Sequence, residues 1–382
     1  MGAPRFVSSR LHFGSRVATL SIALSFVVMI VAVAVAEGFK AGIYSKLSEM
    51  GGDVAIKSLQ PDGTVQKTSE ICAGLQNIPG VEKAVPAIYS PGIFRLEDGI
   101  QGVIFKAVPM EGDVMDIMVP EELASRLSLE QDSKLTACFF NGGLKLRKLR
   151  VVSTYEGLYL DDDSHVVLCS EEMLRRVCGY GEDESTVIEL SVSKEYRDSE
   201  ASGQLMADIA DYLYYGSGLT ETENLYPLTL RARYAQLFSW LEVIWMNVDI
   251  LLIIMTIVAG FNMVGGLLIM LFQNIGNIGI LKTLGMNNWD ISLSFLLAAA
   301  RSVFVAMLAG NALAIGLCLV QKYTHLIKLD PGNYFLNHVP IELDPLFIVA
   351  VDLVSFVAIM IMLLIPCAFI SRFEPARSVE YR

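Results

Sequence analysis

The sequence predicts an α-helical membrane protein with four transmembrane helices in a 1+3 arrangement and a large mixed α/β extracytoplasmic domain. Four apolar stretches are each long enough to cross a hydrocarbon core of about 30 Å at about 1.5 Å of rise per residue. A long polar and acidic region separates the first stretch from the other three. Hydrophobic residues make up 53% of the chain and charged residues only 18%, which excludes an ordinary soluble protein.

The apolar stretches set the predicted segment boundaries. Residues 17–36 and 250–281 contain no charged residue, the third stretch contains only Arg301, and the fourth contains only Asp352. The predicted order is a cytoplasmic N-terminal segment (1–16), transmembrane helix 1 (17–39), a periplasmic domain (40–242), transmembrane helix 2 (243–272), a cytoplasmic coupling loop (273–290), transmembrane helix 3 (291–321), a periplasmic loop (322–344), transmembrane helix 4 (345–371) and a cytoplasmic tail (372–382).

Basic residues near the span ends predict the orientation. Lysine and arginine collect on the cytoplasmic side of membrane proteins, and in a four-span arrangement the basic ends of this chain all fall on one side. We therefore expect a multi-pass protein of the inner (cytoplasmic) membrane with its large domain in the periplasm. The residues that set this orientation are Arg5, Arg10, Arg16, Lys282, Arg372, Arg377 and Arg382.

A second interpretation of the N-terminus stays open. Three arginines, an apolar run and the tripeptide Ala34-Val35-Ala36 also resemble a cleavable signal peptide. The run is longer than the apolar region of a usual signal peptide, and helix-compatible sequence continues through residues 38–50. We expect a retained first span.

The polar region between the first two spans carries the whole net charge of −12. Such acidity argues against nucleic acid as a partner. Short strands, among them residues 53–58 and 187–192, alternate with helices such as residues 68–77. This order predicts a small α/β domain (about 40–118 plus 184–230) interrupted by a β-rich insert (about 119–183).

The cysteines show no metal-binding pattern. No Cys-x-x-Cys occurs and no histidine lies at metal-ligand spacing, so we expect no metal site. The four cysteines of the polar region either form disulfides or stay buried thiols, and the sequence leaves both readings open. The run Asp161-Asp162-Asp163 is interpreted as a solvated hairpin tip.

Five local stretches resemble one family in their order along the chain. The first span leads into a Gly38-Phe39 exit, residues 105–112 read FKAVPMEG, and residues 151–168 form a turn-rich hairpin. Residues 261–286 contain the run Ile-Leu-Lys-Thr-Leu-Gly, and residues 369–382 contain Pro-Ala-Arg-Ser-Val. Together with the span layout, these stretches resemble the FtsX-like ABC transporter permeases, most closely the lipoprotein-releasing (Lol-type) subfamily, which is related to the macrolide-exporter permeases.

The chain departs from the family pattern just before the Ile-Leu-Lys run. Family members carry acidic and basic residues there, whereas this chain has Gln273, Asn274 and Asn277. The tail ends in Tyr381-Arg382 without the usual acid. We expect a less charged docking surface.

The resemblance implies that an ATPase works as a separate subunit, in two copies. The chain contains no Gly-x-x-x-x-Gly-Lys-[Ser/Thr] motif for binding nucleotide phosphates, so we expect no cofactor in this chain, with ATP and Mg²⁺ bound by the partner. The alternative is an interfacial turn that only rests on lipid headgroups. The candidate coupling residues are Ile275, Ile278, Ile280, Leu281, Lys282, Leu284, Gly285 and Met286, of which Ile278, Leu281 and Met286 are expected to fill a groove on the ATPase.

Two further sets of residues inside the spans suggest function. Arg301 and Asp352 are expensive in lipid, and counting from the predicted span ends places them at similar depth, which predicts an interhelical charge pair. The alternative is that each faces water or snorkels separately.

Small residues in the spans favour close helix contact, either in a dimer seam or within one protomer. The candidate cargo cavity is lined by Val33, Phe39, Met255, Ala259 and Met263, and lipid-facing packing is the alternative for these residues.

No catalytic constellation is present in the sequence, so we expect a permease subunit and not an enzyme. The leading expectation is extraction of lipoproteins from the inner membrane for delivery to a periplasmic lipoprotein carrier. A macrolide-exporter-like efflux permease and an FtsX-like mechanotransmitting regulator of a cell-wall hydrolase are the alternatives. The expected partners are the ATPase, a second permease protomer of the same or a sister chain, the carrier, the lipoprotein cargo and membrane lipid.

Overall fold

The computed structural model describes residues 16–60, 63–95, 99–140, 143–157, 165–197, 200–330 and 336–369. The chain divides into two compact units. The first, here called the helical unit, comprises the chain up to Gly42, Ser239–Asp330 and the chain from Leu336. The second, here called the mixed unit, is built from Ile43–Phe238.

The elements follow in chain order. The helices are α1 (Arg16–Gly51), α2 (Thr68–Leu75), α3 (Glu121–Arg126), α4 (Glu171–Cys178), α5 (Glu200–Asp211), α6 (Leu230–Arg233), α7 (Ala235–Gln273), α8 (Ile275–Thr283), α9 (Asn288–Thr324) and α10 (Pro345–Phe369). The strands are β1 (Val54–Ser58), β2 (Val65–Gln66), β3 (Val81–Ala87), β4 (Tyr89–Arg95), β5 (Ile100–Val108), β6 (Asp116–Pro120), β7 (Lys134–Phe139), β8 (Lys145–Tyr155), β9 (His165–Ser170), β10 (Glu184–Ser185), β11 (Val187–Val192) and β12 (Leu225–Thr229).

Four helices of the described chain are long and apolar enough to cross a membrane. They are Ala18–Gly51, Ala235–Gln273, Asn288–Thr324 and Pro345–Cys367. Their positions match the four predicted spans, but three of them are longer than predicted. The first continues through the helix-compatible residues 38–50, and the second begins at Ala235, eight residues before its predicted start at 243. Residues 1–15 of the predicted N-terminal segment (1–16) and the predicted tail (372–382) lie outside the described residues.

The helical unit is held together by a continuous apolar core. Side chains of α1, α7, α9 and α10 meet in it, among them Phe26, Met263, Phe295 and Ile359. Gly310 of α9 lets α1 approach closely, since a Cβ on this glycine would lie 2.6 Å from the Ala23 carbonyl oxygen. Polar contacts also join the helices, with Asn262 Nδ2 donating to Ser21 Oγ at 2.6 Å.

The mixed unit contains a four-stranded antiparallel sheet in the order β12-β1-β11-β3. Alternate residues of its central strands point into an apolar core with α2 and α5, as Ile56 and Ile188 do opposite each other in register. This alternation is the period of two that places every second side chain on one face of a strand.

A closed six-stranded barrel is the second large part of the mixed unit, in the order β4-β5-β9-β6-β8-β7, and β2 and β10 pair as a separate two-stranded sheet. Its interior is filled by aromatic and branched side chains, with the rings of Phe105 and Phe139 centred 4.6 Å apart. Closure removes the unpaired edges that an open sheet of this size would present.

The predicted insert boundary at 119–183 is wrong. The barrel begins at Tyr89 with β4, because β4 and β5 form its first hairpin and β5 pairs in parallel with β9. Parallel pairing between strands far apart in sequence leaves no local signal. Strands β3 and β4 were missed for a second reason: Pro86 and Pro91 interrupt their apolar patterns.

All six cysteines are free thiols in the structure, including the four of the mixed unit. Burial raises the pKa of Cys72 to about 11 and, helped by the neighbouring Cys178, that of Cys169 to about 12. These two thiols therefore stay protonated and unreactive at neutral pH.

Candidate functional site

The candidate coupling site is the short helix α8 between α7 and α9. A break at Asn274 separates α8 from α7, and the Asn274 side chain stabilises it by donating to the Met270 carbonyl at 2.8 Å. Asn277 in turn donates to the Asn274 side-chain oxygen at 3.0 Å. The two asparagines that depart from the family pattern therefore build the start of α8.

A glycine-dependent motif ends α8. Gly285 has φ +86°, a conformation that disfavours other residues. The Met286 amide donates to the Leu281 carbonyl and the Gly285 amide donates to the Lys282 carbonyl, both at 3.0 Å. This pair of hydrogen bonds is the Schellman motif, in which residues at the positions of Leu281 and Met286 commonly touch. The Leu-Lys-Thr-Leu-Gly-Met run thus fixes where the helix stops and which side chains turn inward.

The structure corrects the assignment of the groove-filling residues. Ile278 is only 3% exposed and belongs to the core of the helical unit. Leu281 and Met286 are partly buried against the same core. A side chain held inside the protomer does not present a docking surface to a partner, so the prediction is wrong for Ile278. For the partly buried Leu281 and Met286 it stays a prediction.

The opposite side of the element carries an exposed apolar set. Ile280 is 60% exposed and Leu284 78% exposed, and their four-residue spacing places them on one face of α8. Phe272 and Trp289, just before and after the element, are 61% and 68% exposed. We call Phe272, Ile280, Leu284 and Trp289 the exposed apolar set. Gly285 was the sequence signal that separates inward from outward residues, because it fixes where α8 ends and therefore which of its side chains face outward.

The other predicted coupling residues frame this set. Ile275 begins α8 and is partly buried, and Lys282 lies in its last turn. Lys282 is the only charged residue in the sequence from 273 to 289. The arrangement offers an apolar surface with one positive charge beside it, which suits an apolar groove edged by an acid.

The predicted Arg301–Asp352 pair does not form. Asp352 Oδ2 instead accepts a hydrogen bond from Asn311 Nδ2, and no ion pair joins Arg301 to Asp352 among the described residues. Ten residues of α9 separate Arg301 from Asn311, which is about 15 Å along the helix axis. The estimate failed because Arg301 was counted from the inner end of its span and Asp352 from the outer end of the other, whereas α9 has 37 residues and α10 only 25.

The predicted cargo residues lie in packed regions. Val33, Phe39, Ala259 and Met263 are all less than 10% exposed, and Met255 packs partly buried against the core. They form the inward stripes of their helices and therefore do not line an open cavity of this protomer. The outward positions on α1 and α7 are other apolar residues, including Leu24, Ile253 and Phe261.

The small residues of the spans divide into two groups. Gly260 and Gly310 face neighbouring helices of the same protomer, Met362 and Ala23 respectively. Gly265 and Gly316 face open space, with nothing within 4 Å of the position that a Cβ would take. Only the second group remains available to a protomer–protomer seam.

Gly38, in the predicted Gly-Phe exit, lets the segment after residue 336 approach α1. A Cβ on Gly38 would lie 2.3 Å from the Pro340 carbonyl oxygen. The Glu342 amide donates to the Ala34 carbonyl at 3.1 Å, which holds the segment against the helix. Leu336 packs over Gly42 one turn further on.

No group of three or more metal-ligating side chains occurs in the part of the chain that the structure describes. The run Asp161-Asp162-Asp163, interpreted as a hairpin tip, lies outside that part.

Comparisons with known proteins agree with the resemblance seen in the motifs. Residues 250–375 match the family described as FtsX-like permease C-terminal. The lipoprotein-releasing system transmembrane protein LolC of Neisseria meningitidis serogroup B is 22% identical over 408 residues, which cover 97% of this chain and 95% of that protein.

Two solved structures are similar to part of the chain. The periplasmic region of MacB from Actinobacillus actinomycetemcomitans covers 49% of this chain and 93% of its own, with 11% identity and a TM-score of 0.32. The extracellular domain of the noncanonic ABC-type transporter YknZ from Gram-positive bacteria covers 46% of this chain and 100% of its own, with 13% identity and a TM-score of 0.30.

Proposed function

We propose that this chain, an ABC transporter permease of the FtsX/LolC type, extracts lipoproteins from the inner membrane and delivers them to a periplasmic carrier, driven by ATP hydrolysis in a partner subunit. The observation that carries the proposal is the similarity to a lipoprotein-releasing permease along 97% of the chain. The mixed unit is the part that would meet the carrier.

The coupling site supports an ATPase partner. Large apolar side chains that remain 60% or more exposed at a helix–turn element are costly in water and favour burial against another protein. We assign the exposed apolar set to a groove on each ATPase copy, with Lys282 beside an acid at its edge. ATP and Mg²⁺ would be held entirely by that partner.

A second permease protomer, identical or sister, is part of the proposal. The outward faces of α7 and α10 carry many exposed apolar residues, of which Phe261 and Ile361 are 66% and 60% exposed. Lipid covers such faces in part, and a facing protomer would cover the rest. We place the acyl chains of the cargo at this seam, against outward residues of α1 and α7.

Reconstitution tests the transport function. The tagged full-length chain is purified from its own membranes in mild detergent with the ATPase that accompanies it, and placed in liposomes containing acyl-labelled lipoproteins. We expect ATP, but not a non-hydrolysable analogue, to move labelled lipoprotein into the soluble fraction when a carrier is supplied. ATP-driven movement of small apolar drugs alone would favour an efflux permease. Co-purification of a cell-wall hydrolase without any transport would favour a regulator.

Site-specific crosslinking tests the cargo position. A photo-crosslinker is attached to single cysteines at Leu24, Ile253 or Phe261, and the buried positions Val33 and Ala259 serve as matched controls on the same helices. We expect the outward positions to capture lipid-modified protein without ATP and to lose it during turnover. Capture of bulk phospholipid only, at all positions and regardless of ATP, would contradict lipoprotein extraction.

A further inference from the structure

A cavity of about 420 Å³ lies within the mixed unit and is lined by residues of both the four-stranded sheet and the barrel. Its wall contains Lys57 from β1, Tyr89 and Pro91 from β4, Phe140 after β7 and Tyr180 after α4. This volume falls in the range of cavities that hold small molecules. The transport function proposed above does not use it.

The chemistry of the cavity is set by one amine. Lys57 is half-buried, and burial together with the nearby Arg233 guanidinium lowers its pKa. Its cross-strand neighbours in the sheet are Val187 and Tyr226, which offer no negative charge. No ion pair to Lys57 occurs in the described part of the chain.

Glu189, an acid that contacts the cavity residue Tyr89, is already engaged. Glu189 forms an ion pair with Lys106 at 2.9 Å and accepts a hydrogen bond from the Tyr89 hydroxyl. Arg233 contributes a second positive charge, and its Nε is buried without a hydrogen-bond partner among the described residues. Among the described residues, Lys57 and Arg233 therefore bring two positive charges to this region, although the domain as a whole is acidic.

The aromatic walls of the cavity are the second feature that a ligand would contact. Tyr89, Phe140 and Tyr180 present aromatic surface, and Phe140 is 59% exposed at the edge of the cavity. An aromatic or aliphatic body would bury this surface. An anion would restore the interaction that the half-buried amine lacks.

We propose that this cavity binds a small organic acid, with its carboxylate or sulfonate against Lys57 and its apolar body between Tyr89, Phe140 and Tyr180. The site is a ligand site of the mixed unit and does not depend on the identity of the transported cargo.

Amine labelling with competition tests the site in the full-length protein in lipid nanodiscs. Trinitrobenzenesulfonate, an anionic aromatic reagent that modifies neutral amines, is applied in limiting amount, and mass spectrometry measures the modification of each lysine. Lys83, an exposed lysine on β3 of the same unit, is the matched control. We expect naphthalene-2-sulfonate to abolish the modification of Lys57 at saturation and to leave that of Lys83 unchanged.

Two further measurements separate a site from general shielding. The neutral naphthalene-2-sulfonamide should protect Lys57 far less, and Phe140→Ala should weaken protection by the sulfonate without changing the labelling of Lys83. Equal protection by the neutral compound, or equal protection of both lysines, would overturn the proposal. Failure of Lys57 to react at all would also overturn it, because a cavity that admits no sulfonated ring cannot hold one.

Discussion

Asn311 of α9 faces Asp352 of α10, and the Asn311 side-chain amide donates a hydrogen bond to the Asp352 carboxylate. Nearer the other ends of these helices, Ser292 Oγ donates to the Cys367 carbonyl at 3.1 Å. The two contacts fix the antiparallel register of α9 and α10. Polar groups therefore join this helix pair at two separated levels within an apolar surface.

The first prediction follows from this contact. Asn311→Leu and Asp352→Leu should each lower stability by about 1–3 kcal/mol, because each leaves a buried polar partner unsatisfied. The double variant should lose less than the sum of the two. Thermal unfolding in nanodiscs measures the three variants. Arg301→Leu combined with Asp352→Leu is the control, since sites this far apart add within about 0.5 kcal/mol. Coupling of Asp352 to Arg301 in place of Asn311 would contradict the register.

The second prediction concerns ATPase docking. Ile280→Asp and Leu284→Asp place a charge in the exposed apolar set and should abolish co-purification of the ATPase while leaving the fold intact, because both side chains point away from the core. Leu326→Asp is the matched control. Leu326 is 73% exposed, comparable to Ile280 and Leu284, but it follows the end of α9 that lies away from α8. Quantitative pull-down measures retention. If both coupling variants retain the ATPase as well as the control does, the docking surface lies elsewhere.

The third prediction concerns the turn that ends α8. Gly285→Ala forces a residue with a Cβ into a left-handed conformation and should cost about 1–2 kcal/mol. Space is not the cause, since nothing lies within 4 Å of the added atom. Gly285→Asn should be milder, because asparagine tolerates this conformation. The unfolding temperature and the stimulation of ATP hydrolysis should both fall slightly in Gly285→Asn and further in Gly285→Ala. An alanine variant indistinguishable from the wild type would show that the turn is not glycine-dependent.

The fourth prediction concerns the contact between α1 and the segment after residue 336. Gly38→Ala should destabilise the helical unit by about 1–3 kcal/mol, because its Cβ meets backbone atoms of Pro340 and Ile341 that cannot yield cheaply. Gly42→Ala meets the flexible end of Leu336 at 3.2 Å and Pro340 at an ordinary contact distance of 3.7 Å, and Gly265→Ala meets nothing within 4 Å. Unfolding midpoints should rank these variants accordingly. Equal midpoints for the Gly38 and Gly265 variants would contradict the close approach.

The fifth prediction is a pH dependence at the start of α2. Asp183 Oδ1 accepts hydrogen bonds from the Ser69 hydroxyl at 2.6 Å and the Ser69 amide at 2.8 Å. The Ser69 hydroxyl is the main cause that lowers the pKa of Asp183 in the folded state. The stabilisation is therefore complete above the unfolded pKa and is lost as pH falls through the lowered folded pKa.

Asp183→Asn should remove this part of the pH dependence. Unfolding of the full-length protein is followed from neutral to acidic pH, with Glu182→Gln as the control for loss of a neighbouring charge. The effect should be small, since the carboxylate is largely exposed and water screens it. A difference between wild type and Asp183→Asn that does not change with pH would contradict the assignment.

Much of the secondary structure was available from local sequence. The strand at 53–58, the helix at 68–77 and the strand at 187–192 were predicted within two residues of β1, α2 and β11, because their apolar spacing and turn signals are local. The boundary of the barrel could not be predicted from local sequence, because β5 pairs with β9 across more than fifty intervening residues. For the candidate site, the sequence predicted where the short element between α7 and α9 lies but did not show which of its apolar residues turn inward.

The sequence by itself determined the four apolar helices, their order around an acidic domain, and the family resemblance. Each of these depends on length, composition or spacing, which need no knowledge of partners in space. Tertiary structure alone decided that Asp352 meets Asn311 and not Arg301, that Ile278 is buried while Leu284 is exposed, and that Gly38 and Gly310 are packing sites within one protomer. An apolar helix has the same composition on every face, so only the neighbours against which it packs determine which face is inside.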